Sequence, residues 1–179
     1  MATRRVDPDR RDRIIDAALE VIAAHGVAGT SHRKVAAVAD VPLGSMTYHF
    51  ESMDELLREA FTRFAGTVAS RCEARLQGEM TLDEARQAVV EIVLHDVNPT
   101  QDDLVLALEL YTLAAREPRY REITRAWMHR SRAALELHFD AGTAQLLDAL
   151  IEGLTIHSAL DTQPQARAVT VEAITRVTA

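Results

Sequence analysis

Ser45, Thr47, Tyr48 and His49 place four hydrogen-bonding side chains within five consecutive positions, interleaved with the apolar Met46 and followed by Phe50. Short donors turned outward from a small helix, anchored inward by Met46 and Phe50, suit hydrogen bonding to base edges and phosphate oxygens. Other reactive residues are less organised. Glu91 and His95 are one helical turn apart, a spacing that can hold a metal ion, but no third ligand accompanies them, so no metal site is expected. Ser, His and Asp are present without a nucleophile elbow, an HExxH helix, a glycine-rich loop or paired cysteines, so neither an enzyme nor a cofactor is expected. Glu109 sits in the apolar run LVLALELYTLAA, either at an exposed helix edge or as a buried charge in need of a partner such as Arg125.

The elements that must position these groups are helical. Ala, Leu, Glu and Arg dominate the 179 residues, Gly and Pro are sparse, and 47% of the chain is hydrophobic. Cys72 is the single cysteine, which excludes an intramolecular disulfide and fits a reducing cytoplasm. No apolar run approaches the ~18 residues of a membrane span, and MATRRVDPDRRDR has no apolar leader core, so no membrane partner is expected. The net charge of −7 is unevenly spread. Residues 1–50 carry seven basic against six acidic side chains, net +1, which leaves −8 on the remainder. That asymmetry permits a nucleic-acid-facing N-terminal end.

The spacing predicts about nine helices and no strands. Asp7-Pro8 opens the first, Ile15, Ala18, Leu19 and Ile22 give its stripe, and Gly26 ends it. Ser31 caps a second, with Val35, Ala36 and Val38 inward, and a third runs from Gly44 to Phe50. Ser52-Met53-Asp54-Glu55 and Thr81-Leu82-Asp83-Glu84 are capping-box patterns opening helices to about Leu76 and Val97. Thr100 starts one to Arg116 and Pro118 one to about Phe139; after a break at Asp140-Ala141-Gly142, residues 143–161 and 164–178 complete the set.

Three short helices with a tight turn between the second and third describe a helix-turn-helix. Ala36, Ala37 and Ala39 supply small residues where the third helix crosses the second, and Asp40 falls where the turn requires positive φ. The segment from Arg13 to Leu57 resembles the DNA-binding domain of the tetracycline-repressor (TetR) family, with Val35-Ala36, Ala39, Val41, Gly44, Phe50, Ser52 and Leu56 in register. Asp40 replaces that family's usual turn glycine, Pro42 its serine, Thr47 a frequent tyrosine, and Met53 a lysine that contacts phosphate.

The resemblance implies an all-α protein with a helix-turn-helix domain over 1–51 and a ligand-binding and dimerisation domain over 52–179. It implies two partners, double-stranded operator DNA and a second copy of the chain, together with an unknown small molecule. Carried over by position, His32, Arg33 and Lys34 open the second helix, and Arg33 is the candidate for bidentate contact with guanine. Ser45 and Thr47 would meet bases, and Tyr48 and His49 phosphates. Ser31, Leu43 and Gly44 would offer backbone N–H groups, with Arg4 and Arg5 reaching a minor groove. Phe64, Glu109, Tyr111, Trp127 and Met128 are the candidate ligand contacts. Leu147, Leu150, Ile151, Leu154, His157 and Ile174 are the candidate dimer interface, on two helices apolar on more than one side. The function implied is a repressor released from its operator by a small molecule. The alternatives are an activator, a ligand-independent DNA-binding dimer and, furthest away, a helical enzyme.

Overall fold

The computed structural model describes residues 9–163 and 166–179. They form nine α-helices and one π-helical turn, with no strand among the described residues. The chain divides into two compact units, the first ending at Phe64 and the second beginning at Ala65.

In the first unit, α1 (Arg10–His25) follows Asp9; Asp7, Pro8, Arg4 and Arg5 lie outside the described residues. Gly26, at φ 67°, ends α1 with its N–H on the Ile22 carbonyl. Ile14, Ile15, Ala18 and Ile22 are buried beneath it. In α2 (His32–Val38) the Ser31 hydroxyl accepts from the Lys34 N–H, a cap that contributes about 1 kcal/mol. Val35, Ala36 and Ala39 form its buried side. Val38 is 48% exposed and Ala37 is exposed, contrary to the expectation for both. At about 100° per residue, positions 35, 36 and 39 share one face, and 37 and 38 lie well off it.

Asp40 has φ 52°, the only positive φ at a non-glycine among the described residues. Its N–H reaches the Ala37 carbonyl and that of Val41 the Ala36 carbonyl, the paired bonds of a Schellman ending with Asp in the left-handed place. This turn delivers α3 (Gly44–His49), held by the fully buried Met46 and Phe50. Next, α4 (Met53–Arg75) starts with the Glu55 N–H on the Ser52 hydroxyl. The Glu55 carboxylate accepts from the Glu51 N–H, one residue earlier than in a capping box.

The second unit takes up the tail of α4. The capping box of α5 (Leu82–Glu91) is complete, Thr81 and Glu84 each accepting from the other's N–H. The helix expected to continue to Val97 instead widens into a π-helical turn over Ile92–Asp96, with the Val97 N–H on the Ile92 carbonyl. Arg75 grips Asp96 of this turn with two hydrogen bonds, 2.8 and 2.9 Å. Thr100 caps α6 (Gln101–Arg116). Helix α7 (Pro118–Leu135) stops four residues short of Phe139, which is buried in the turn that follows.

Helix α8 (Ala141–Leu160) absorbs Ala141-Gly142, because Asp140 accepts from the Gly142 and Thr143 N–H groups and makes the expected break a cap. The last helix is α9 (Arg167–Val177). Helix α7 packs between α6 and α8, and α9 between α5 and α8. Leu147 of α8 and Ile174 of α9, both expected at a dimer interface, are fully buried within this unit. They occupy the inward side of helices whose apolar residues also extend outward. No described helix is long and apolar enough to cross a membrane.

Candidate functional site

The first unit offers a polar surface on α2 and α3, which pack against each other. Arg33, Lys34, Gly44 and Thr47 are exposed, Leu43 is 55% exposed and Tyr48 75%, while Ser31, His32 and His49 are half-buried. A Cβ on Gly44 would meet nothing, so this corner is open to an approaching molecule. Tyr48 and His49 make an edge-to-face pair with centroids 4.9 Å apart. Lys34 is engaged locally, its Nζ donating to the Gly29 carbonyl at 2.8 Å. Ser45 is the correction. Expected as an outward donor, it is 8% exposed, because it adjoins the buried anchor Met46 on a helix of only six residues. His32 keeps one buried ring nitrogen without a partner.

The second unit holds a cavity of about 310 Å³ that is partly open to solvent. Val68, Cys72 and Leu76 line it from α4 and its end, Ile92 and Val97 from the π turn and the residue after it, and Tyr111 from α6. Trp127, Met128, Ser131, Arg132 and Leu135 come from α7, and Asp148, Ala149, Ile151 and Glu152 from α8. The rings of Tyr111 and Trp127 stack, centroids 5.9 Å apart and 7° from parallel. Widening the helix at 92–96 leaves both Ile92 and Val97 on the cavity wall. Of the expected ligand contacts, Tyr111, Trp127 and Met128 line this space. Phe64 is a buried residue of the first unit, and Glu109 is half-buried on α6; neither is in the lining.

The acid in the cavity is not Glu109 but the pair Asp148 and Glu152. Arg132 donates from Nε to Asp148 Oδ2 at 2.8 Å. Glu152 has no such cation. Its Oε1 is buried without a hydrogen-bond partner, and the Tyr111 hydroxyl is placed to donate to its carboxyl. Burial pushes the Glu152 carboxyl above the usual range, Tyr111 offsets this in part, and the charge of Asp148 adds to the rise. Burial also raises Asp148, against the pull of Arg132. The same burial pushes the Cys72 thiol up to about 12 and the Tyr111 phenol upward, so both stay protonated. The signal that could have found the pair is their i, i+4 spacing in LLDALIEGL, two acids on one side of an apolar helix.

A three-helix head with exposed polar groups, joined to a helical unit built around an apolar cavity, has the architecture of a DNA-binding regulator with its own sensor. Residues 14–60 match the model of bacterial regulatory proteins of the tetR family, and residues 80–179 the tetracyclin repressor-like C-terminal domain. The chain belongs to the TetR family of transcriptional regulators.

Among solved structures, SCO7518 of Streptomyces coelicolor A3(2) is 55% identical, over 96% of this chain and 99% of that one, with a TM-score of 0.89. The multidrug binding protein EbrR complexed with ethidium is 33% identical, over 95% and 99% of the two chains, with a TM-score of 0.79. The regulator CymR of Pseudomonas putida is 30% identical over 74% of this chain and 66% of its own length.

Proposed function

We propose that the protein is a homodimeric repressor, working in the cytoplasm, that leaves its operator when an aromatic cation enters the cavity of the second unit. The observation that carries the ligand class is the partnerless buried oxygen of Glu152 beside the stacked Tyr111 and Trp127. A buried carboxylate calls for a positive partner, and aromatic faces attract cations. The complex of EbrR with ethidium supports the same class.

On the DNA side, Arg33 and Thr47 are the base-reading groups, and Tyr48 and His49 hold phosphates, with the N–H groups around Ser31 and Leu43-Gly44. His32 and Lys34 flank Arg33; Ser45, being buried, supports α3 rather than reading bases. The dimer face is the outward side of α8 and α9: Leu146, Leu150, Leu154, His157 and Leu160, with Val169. Leu146, Leu160 and Val169 are each more than half exposed. Gly153, exposed with open space where a Cβ would lie, permits close approach. Helix α4 starts beside the reading head and ends at the cavity wall, so a ligand that tilts it changes the spacing of the two heads.

Two measurements test this. A gel-shift titration on the DNA upstream of the coding region, against random DNA at two salt concentrations, should give specific binding that weakens steeply with salt. Failure there and in selection from random sequences would end the DNA assignment. The chain has one tryptophan, Trp127, and it lines the cavity. Ethidium should therefore quench its fluorescence saturably, and more strongly than a neutral phenanthridine. Equal quenching by both would remove the cation from the proposal and leave an apolar ligand.

A further inference from the structure

We propose that Glu152 carries a proton while the cavity is empty and exchanges it, one for one, for the positive charge of a bound cation. This rests on the aromatic-cation assignment above and adds to it a stoichiometry and a charge limit.

The geometry supports a neutral Glu152 in the empty cavity. One oxygen is buried without a hydrogen-bond partner, and the one cation lining the cavity among the described residues, Arg132, is already on Asp148. An ionised carboxylate left so would bear a large desolvation cost, which a proton removes. The groups around it leave no other source of a proton. Cys72 from α4 and Tyr111 from α6 hold theirs well above neutral pH. Arg132 from α7 is paired with Asp148 from α8 itself, while the Ile92 and Val97 contributions do not titrate. Helix α9 contributes nothing to the lining.

Asp148 is taken as the ionised member of the acid pair because its guanidinium partner, Arg132, sits at 2.8 Å. A single free carboxyl then accepts one positive charge. A dication would have to break the Arg132–Asp148 pair.

The direction of the pH effect follows. The Glu152 carboxyl keeps its proton to a higher pH than an ordinary carboxyl, and a cation against it favours the ionised form. Binding therefore drives the proton from the carboxyl to the buffer. Affinity rises with pH below the raised pKa and levels off above it.

The test is calorimetric titration of the full chain with ethidium, a permanent cation, in two buffers of equal pH and different ionisation heat. Over the pH range where the carboxyl holds its proton in the empty cavity and loses it in the complex, the expected result is one proton released per ethidium, declining to none at higher pH, with affinity rising by about tenfold per unit while release lasts. In Glu152→Gln, release and pH dependence should vanish and affinity fall about 30-fold or more. The amide mimics the protonated acid, so this variant should fold. Independently of any variant, with carboxyl-13C glutamate one resonance should move from its acid to its carboxylate position when ethidium is added, Glu152 being the one glutamate among the described residues of the lining. Ethidium binding at every pH with no proton released and no such resonance overturns the exchange and leaves the cation assignment standing. Absence of ethidium heat and of Trp127 quenching overturns both.

Discussion

Both units pair ionised side chains at the surface, but they differ in what they carry inside. In the first, ionised side chains stay at the surface and pair there: Arg63 with Asp12 and Asp16, and Arg11 with Glu59. Apart from the hydroxyl of Ser45 and one ring nitrogen of His32, the interior of that unit is apolar, closed by Met46 and Phe50. In the second, Asp148 and Glu152 are carried into a cavity, and only one of them has a cation. A surface that meets DNA needs its donors hydrated and free to exchange water for phosphate, and exposed pairs beneath it contribute only about 0–1 kcal/mol each. A cavity that senses a small molecule gains from the reverse. Where water is excluded, one unmatched carboxyl distinguishes a cation from a neutral molecule of the same shape.

The largest effect that separates the units should come from Phe50→Ala. Removing a fully buried ring leaves a void and costs about 3–5 kcal/mol, confined to the first unit. Urea unfolding followed by Trp127 fluorescence reads the second unit, and circular dichroism reads both. The Trp127 midpoint should hold while an early loss of helix appears. If the two signals shift together, the units unfold as one and the comparison loses its thermodynamic content. The converse experiment sharpens it. Ethidium at about 100 times its dissociation constant should add ~2.7 kcal/mol of protection to amides of α5–α8, read by hydrogen exchange. Exchange in α1–α3 should not slow to match.

The same contrast explains what could be read from the sequence. The reading head is set by constraints within some twenty residues, so Ser31, Asp40, Met46 and Phe50 disclosed the helix starts, the turn and the anchors. Its errors are errors of rotation: Ala37, Val38 and Ser45 were assigned to the wrong side of very short helices, where one residue moves a side chain by about 100°. The cavity is assembled from helices far apart in sequence. Glu109 attracted attention because it interrupts an apolar run, yet whether an acid faces a cavity depends on which helices surround its own. The apolar stripes of α8 point to a dimer face and give no sign of where its two acids turn, yet a helix apolar on two sides also serves the interior, as Leu147 shows. The π turn at 92–96 has no signature in composition or capping, and Asn98-Pro99 marks only where the helix must stop.

Arg33→Ala tests the wet side of the contrast with an effect of about 1–3 kcal/mol on operator affinity. A bidentate guanine contact predicts that the loss falls on the cognate sequence and that preference relaxes at one base pair, as read by competition gel shift across single-base variants. Equal weakening on operator and random DNA would reassign Arg33 to a phosphate, with the salt slope falling by about one. Ethidium affinity should be unchanged, since Arg33 belongs to the first unit and is not in the cavity lining.

The smallest effect is expected at Asp40, and it asks whether the first unit's turn is held by backbone alone. Asp40 occupies the left-handed region at φ 52°, inside a Schellman ending made only of main-chain bonds. Glycine there would relieve the steric cost of a side chain at positive φ, and would also loosen the unfolded chain by roughly 0.5–1 kcal/mol. These terms oppose each other, so Asp40→Gly should leave stability within a few tenths of a kcal/mol of wild type, or slightly above it. Asp40→Ala has no compensating relief and should cost about 1 kcal/mol. The pair of urea midpoints separates backbone from side chain. A loss of more than about 1 kcal/mol in both variants would mean that the Asp40 carboxylate itself supports the turn, and that the first unit also depends on a fixed charge.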